Sequence, residues 1–369
     1  MSDLVYKLNT VSYYTLDGWV WCPDSPSAKV DVMLIDSSGV ELASFVANRV
    51  CDNIPPPPGS HNEGYCFVFY GLFSGVGSIL FSYGDIKVSV PLQIEQPLLP
   101  VSLSNYGFLV FHPDDYMLKF NIEREGIEKR IQAYINGGSF ISAEVLNICT
   151  KYLTDRDKPY GILDFASGFG RVTRAFDKST FNVTASDIHT DAVGYINRYI
   201  GVDTILSATN PKLFSIDKKF DVVFVFSFFS HLPKRTFGKW ISTLYGCLNP
   251  GGLLIFTTHG RLTKATNPVF VFNGYGFVYY SEQLDLKAKD YGSSITELSY
   301  VQKTLNKYIK QSPVYFEECA TLTGGYQDLY VVKKKVYQPF WNNGKLINVL
   351  KAIVGRSRVL SAVKKRFIR

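Results

Sequence analysis

The chain has 369 residues, 46% hydrophobic and 15% aromatic, so it can bury a sizeable core and is not a globally disordered polymer. Its net charge of +7 is localised: eleven basic residues and no acidic one follow Asp328, while the rest carries 28 basic against 32 acidic residues. That distribution argues against a nucleic-acid-binding body and assigns the basicity to a tail.

Residues 1–97 read as a small all-β unit. Gly18-Trp19-Val20-Trp21 is a short aromatic strand. Residues 30–35 and 41–46 flank a hairpin turn at Ser37-Ser38-Gly39, and residues 65–70, 79–82 and 86–90 add strands. Short strands with regular turn signals suggest a β-sandwich. Pro55–Pro58 reads as a stiff loop, and 93–100 as a linker. From 114 to 152 the pattern turns helical, with a break expected at Gly137-Gly138.

Strands and helices then alternate. Strands are expected at 161–165, 181–186, 204–207, 220–226 and 253–258, with helices at 171–177, 191–199 and 234–247. This order predicts an α/β fold with a mostly parallel sheet covered by helices on both faces. Residues 315–322 and 328–332, around Gly324-Gly325, read as an antiparallel hairpin closing that sheet. Three parts follow: 1–97, 98–335, and a basic amphipathic tail, 336–369. No apolar run reaches the length of a membrane span, and the amino terminus lacks the regions of a signal peptide. The six cysteines (22, 51, 66, 149, 247 and 319) form no Cys-x-x-Cys, so free thiols in a reducing cytoplasm are expected.

The chemistry concentrates after the strand at 161–165. Ile162-Leu163-Asp164-Phe165-Ala166-Ser167-Gly168-Phe169-Gly170 runs from an apolar strand into a turn of small residues, which lets a ligand approach the backbone closely. Asp187 ends the next strand, where a carboxylate can accept both hydroxyls of a ribose. The strand at 220–226 leads into Ser227-Phe228-Phe229-Ser230-His231-Leu232-Pro233. A later helix ends in Leu248-Asn249-Pro250-Gly251-Gly252 before another strand.

Together these segments resemble the class I S-adenosylmethionine-dependent methyltransferases over roughly residues 130–335. The resemblance implies a Rossmann-like fold, S-adenosylmethionine as cofactor, and roles for particular residues. Asp164, Ala166, Ser167, Gly168 and Gly170 would meet the amino-acid end of the cofactor, with Ala166 standing where the family most often has glycine. Asp187 would hold the ribose and Ile188 would pack on the adenine. Thr209 or Asn210 would border its edge, and Ser227 joins the same set. An NAD-dependent oxidoreductase is the competing use of such spacing; the Asn249–Gly252 segment and the closing hairpin favour the methyltransferase.

His231, just past the fourth parallel strand, is the first candidate for a catalytic base, because imidazole can take a hydroxyl proton near neutral pH. His259, in Phe256-Thr257-Thr258-His259-Gly260, is the second. The alternatives are a helix-start residue and a hydrogen-bonded structural histidine. The segment 261–311 is rich in tyrosine and polar residues, of which Tyr275, Tyr279, Tyr280, Glu282, Gln283 and Tyr291 are candidates for contacting a sugar. No compact His/Asp/Glu cluster nominates a metal. The tail at 341–369 has three readings: packing on its own domain, binding an anionic polymer, or lying on an anionic membrane.

The amino-terminal unit resembles β-sandwich modules attached to bacterial glycosyltransferases and surface-polysaccharide enzymes. The expectation is therefore an O-methyltransferase acting on a sugar hydroxyl of a polysaccharide such as a lipopolysaccharide O-antigen. It would be cytoplasmic or peripheral on the inner membrane face, with a saccharide acceptor, a glycosyltransferase or a second copy as partners, and no nucleic acid. The rivals are a methyltransferase for a small metabolite, lipid or protein side chain, and a non-catalytic cofactor-binding adaptor.

Overall fold

A computed structural model describes residues 3–50, 64–266, 276–280 and 290–336. The expected loop at Pro55–Pro58, the tail at 341–369, and Tyr275, Glu282 and Gln283 lie outside the described residues, as does the side chain of Tyr280.

The amino-terminal strands are β1 (Val5–Val11), β2 (Thr15–Trp21), β3 (Val30–Asp36), β4 (Glu41–Ala47), β5 (Cys66–Leu72), β6 (Val76–Tyr83) and β7 (Ile86–Pro91), joined by β8 (Leu109–Phe111). They form two antiparallel sheets, ordered β1-β2-β5-β8 and β4-β3-β6-β7. Alternate residues such as Leu16, Val20, Phe67 and Phe69 of one sheet share a core with Val30, Val32, Leu34, Ile79 and Phe81 of the other. The period-two pattern of half-buried strands produces this arrangement. Two strands escaped the sequence reading. β1 is nearly all exposed, and β8, at three residues, returns from beyond the expected boundary at 97 to pair with β5.

A third, larger sheet contains β9 (Tyr160–Phe165), β10 (Phe181–Asp187), β11 (Asp203–Leu206), β12 (Phe220–Val225) and β13 (Leu248–Thr258). A two-stranded insertion, β14 (Phe277–Tyr280) and β15 (Ser293–Thr296), follows, and β16 (Tyr315–Glu317) and β17 (Asp328–Lys333) complete the sheet. Its order is β11-β10-β9-β12-β13-β17-β16, with the first five strands parallel and the closing pair antiparallel. Both faces are covered, so neighbouring residues point to different cores. Leu254 and Phe256 meet Phe237, Trp240 and Leu305, from the helices Lys234–Gly246 and Leu298–Ile309. Leu253 and Ile255 share the opposite core with Ile141, Val145 and Ile148 of the helix Ile127–Tyr152. The continuous apolar runs of β12 and β13 reflect burial on both sides.

Three expectations change. The helix Ile127–Tyr152 passes through Gly137-Gly138 unbroken, because Gly138 sits against the backbone carbonyl of Arg171, where a Cβ would come within 2.3 Å of that oxygen. The helix expected at 171–177 is only a short 3-10 turn, Thr173–Ala175, since Thr173 and Arg174 turn inward to polar partners. Cys66 is disulfide-bonded, against the expectation of free thiols throughout, whereas Cys22, Cys149, Cys247 and Cys319 are free. Linear spacing does not report which Cβ atoms the fold brings within bonding distance.

The end of the sheet opposite the site is tied together by Asp221. It accepts from the Gly161 amide at 3.0 Å and from Asn249 Nδ2 at 2.9 Å, and it pairs with Arg156, which also donates to the Pro250 carbonyl. The Asn249–Gly252 segment thus serves this anchorage, with Gly251 at φ +79°. No helix of the described residues is long and apolar enough to cross a membrane.

Candidate active site

The carboxyl ends of β9, β10, β11, β12 and β13 lie along one rim of the sheet, where open α/β sheets present their ligands. Every candidate site residue stands on or beside that rim.

The turn after β9 is held in an unusual backbone shape. Ala166, Gly168 and Gly170 all have positive φ, at 58°, 56° and 80°. The Ser167 amide donates to the Ser186 carbonyl at 3.1 Å, and the Gly168 amide donates to Asp187 Oδ2 at 2.8 Å. Ala166 shows that a small side chain tolerates this conformation, although glycine adopts it more readily. A Cβ on Gly168 would meet nothing within 4 Å, so the space above the turn is open. At Gly170 a Cβ would lie 2.4 Å from Ile200 Cδ1, so that position packs inward.

Asp187 is buried; its Oδ1 accepts from the His189 amide at 3.1 Å. Each carboxylate oxygen retains a second lone pair for a ligand hydroxyl. Asp164 is fully enclosed beneath the turn and accepts from Thr173 Oγ1 at 2.6 Å. Burial, with some repulsion from Asp187, raises its pKa to about 7, while the Thr173 bond opposes the rise. Ile188 is half-buried beside Asp187. Thr209 and Asn210 are exposed after β11, and Asn210 Oδ1 accepts from the Lys212 amide at 3.1 Å.

Beyond β12, Ser227 has φ +63° and is fixed by a closed polar ring. Its amide donates to Thr257 Oγ1 at 2.8 Å, Thr257 Oγ1 donates to Gln327 Oε1 at 2.6 Å, and Gln327 Nε2 returns to Ser227 Oγ at 2.6 Å. The roles of Thr257 and Gln327 were missed in the sequence. The available signal was polar residues at the strand termini, Thr257-Thr258 ending β13 and Gln327-Asp328 where β17 begins.

His231 and His259 come together, ring centroids 5.9 Å apart. His231 Nδ1 lies 2.9 Å from the Gly292 carbonyl, which can only accept, so Nδ1 carries the hydrogen and a neutral ring has its lone pair on Nε2. The His231 ring stacks on Tyr291 at 4.8 Å, with planes 7° apart. The insertion is stitched to both histidine loops. Gly292 and Ser294 amides donate to the His231 and Ser230 carbonyls, and the Thr296 amide donates to the His259 carbonyl. In His259, Nδ1 is buried without a hydrogen-bond partner among the described residues, and burial with the nearby His231 lowers its pKa to about 4.

These features suit a nucleoside cofactor with an ammonium group: an open small-residue turn, one enclosed carboxyl below it, and a second carboxylate at the neighbouring strand tip. Residues 163–254, which contain the turn and both strand tips, match a family model described as a methyltransferase domain. The chain carries a methyltransferase domain over those residues.

Three solved structures resemble it. The PH0226 protein of Pyrococcus horikoshii is 17% identical, with a TM-score of 0.41 over 56% of this chain and 92% of that one. An S-adenosylmethionine-dependent methyltransferase of Clostridium acetobutylicum is also 17% identical, with a TM-score of 0.40 over 59% and 100%. The 1,6-didemethyltoxoflavin-N1-methyltransferase of Burkholderia thailandensis is 15% identical, with a TM-score of 0.40 over 69% and 99%. No curated protein matches the sequence.

Proposed function

We propose that this methyltransferase acts on an oxygen, and that its acceptor is a saccharide hydroxyl such as one on a bacterial surface polysaccharide. The observation that carries the oxygen reading is the orientation of His231, whose Nδ1–H is held by the Gly292 carbonyl at the rim where Asp187 and the small-residue turn converge. A hydroxyl is a poor nucleophile until its proton has somewhere to go, and a positioned imidazole supplies that.

The residues divide the work. Asp187 holds the ribose hydroxyls, Ile188 packs against the adenine, and Thr209 or Asn210 borders it. Asp164 and the turn at Ala166, Ser167, Gly168 and Gly170 hold the amino-acid end, and Ser227 with its polar ring walls the site beside β12. S-adenosylmethionine, when bound, supplies a methyl group already activated by its sulfonium. His231 Nε2 receives the acceptor's hydroxyl proton, and the Gly292 carbonyl stabilises the imidazolium that results. His259, kept neutral by burial, orients the acceptor and does not take the proton. The insertion brings Tyr291 to the same place, and aromatic faces suit the apolar side of a sugar ring.

The saccharide reading leans also on the resemblance of two amino-terminal sequence segments, Asp17-Gly18-Trp19-Val20-Trp21 and 65–70, to sandwich modules of polysaccharide enzymes. In the same proposal the basic segment 341–369 holds the enzyme at an anionic membrane face, near a glycosyltransferase. Incubating the full chain with methyl-labelled S-adenosylmethionine and fractionated cell extract tests the acceptor. Label in the glycan fraction is expected. Label in lipid, protein or small-molecule fractions would reject the saccharide, and cofactor binding with no transfer to any fraction would make the chain an adaptor.

A further inference from the structure

β8 belongs to two bodies at once. Its backbone pairs with β5 and Val110 packs in the amino-terminal core, yet further contacts of β8 reach residues that follow the turn after β9. The Val110 carbonyl accepts from the Tyr195 hydroxyl at 2.6 Å, and the Phe111 ring lies 4.8 Å from the Arg174 guanidinium. A second set of contacts joins the same two parts: Phe45 of β4 and Tyr199 meet ring to ring at 6.0 Å, and the Tyr199 hydroxyl bonds both the amide and the carbonyl of Ser44 at 3.0 Å.

His112 follows β8 directly, and its ring lies flat on Phe169, centroids 4.2 Å and planes 11° apart. Phe45 and Tyr195 each meet the same imidazole edge-on at 5.6 Å. The Asp114 amide donates to His112 Nδ1 at 3.1 Å, and Asp114 is itself anchored by Arg49 at 2.6 Å. Phe169 stands between Gly168 and Gly170, both at positive φ. Glycines offer packing no side chain to grip and lose the most freedom on being ordered. The Phe169 ring is therefore the handle by which the rest of the molecule can hold that stretch of the turn.

We propose that His112 is a positioning residue for the cofactor turn, through which the amino-terminal sheets hold Gly168-Phe169-Gly170 in its binding conformation by the stack on Phe169. The inference rests on the turn's being the S-adenosylmethionine site. A turn ordered before the ligand arrives leaves less entropy to be lost on binding. The amino-terminal unit is thereby part of the cofactor site and not merely appended to it.

Two measurements on the full chain test this. Calorimetry with S-adenosylhomocysteine should show H112A binding about three- to tenfold more weakly, the scale of one lost aromatic pair, and H112F within about twofold of wild type. Hydrogen exchange on the ligand-free proteins should show faster exchange of the 167–170 amides in H112A, with β12 and β13 unchanged. Wild-type affinity and wild-type exchange in H112A would overturn the proposal. So would H112F behaving as badly as H112A, or exchange that rises throughout the sheet. If the wild type takes up no S-adenosylhomocysteine, the reading of the turn as its site fails, and the exchange data alone decide whether His112 positions the turn. If H112A does not fold, F169L replaces it, and must loosen the same amides.

Discussion

His231 and His259 face each other across 5.9 Å, but their surroundings give them different chemistry. The Gly292 carbonyl fixes the hydrogen of His231 on Nδ1, leaving Nε2 as the basic atom. His259 is enclosed and its pKa is lowered to about 4 by burial, so it is a weak base at neutral pH. H231A should therefore lower kcat by about a hundredfold or more, the usual reach of a positioned base, with S-adenosylhomocysteine affinity within about twofold of wild type. H259N should cost less. Methyl-transfer rates beside calorimetry check both, and unchanged turnover in H231A would remove the base from the scheme. The placement of the Asp164–Gly170 turn and of Asp187 was legible in the sequence because its signal is local: an apolar strand, small residues, then an acid at the next strand tip. Gln327 and His112 were not, since Gln327 finds Ser227 across 100 positions and His112 finds Phe169 in a different part of the chain.

The helix Ile127–Tyr152 shows what an element conceals from its sequence. Two adjacent glycines suggested a break, yet the helix is continuous and each glycine faces a different part of Arg171. A Cβ on Gly138 would lie 2.3 Å from the Arg171 carbonyl oxygen, which is backbone and cannot step aside cheaply. A Cβ on Gly137 would meet only Arg171 Nη1, at an ordinary 3.6 Å. The two alanine substitutions should therefore differ in sign. G137A should stabilise by up to about 1 kcal/mol, because alanine is the better helix former. G138A should destabilise by roughly 1–3 kcal/mol through overpacking. Because Arg171 directly follows the turn proposed to hold the cofactor, G138A should also weaken S-adenosylhomocysteine binding. Urea unfolding of the pair, with calorimetry of G138A, settles it. The alternation of strands and helices and the closing hairpin could be read from periodicity. Close approaches between elements leave no periodic trace.

At the scale of the molecule, Asp164, which is buried, and His112 and His259, which are half-buried, are three of the titratable groups near the carboxyl rim of the sheet and its joint with the amino-terminal sheets. Burial lowers His112 and His259 to about 4 and raises Asp164 to about 7. Between about pH 4 and 6.5 the unfolded chain protonates both histidines and the folded chain protonates neither, so unfolding takes up two protons. Asp164 acts oppositely: the folded chain keeps a proton that the unfolded chain has lost, so unfolding releases one. These three groups together make stability rise with pH through that window, and above about 6.5 the Asp164 contribution alone makes it fall until about 7. The short return of β8, which the sequence did not reveal because three residues between Gly107 and Pro113 carry no pattern, is what buries His112. H112F removes one proton of uptake without opening the joint. Its stability relative to wild type should climb as the pH is lowered from 6.5 to 4. D164N should do the reverse, losing ground to wild type as the pH falls from 7 to 4, because it lacks the proton that the folded chain holds. Asp114, whose own burial is outweighed by Arg49, stays below its usual value and titrates beneath the window. Urea unfolding at half-unit pH steps measures both differences, and parallel profiles for wild type and H112F would mean that His112 is not buried in the folded chain as its stack with Phe169 requires.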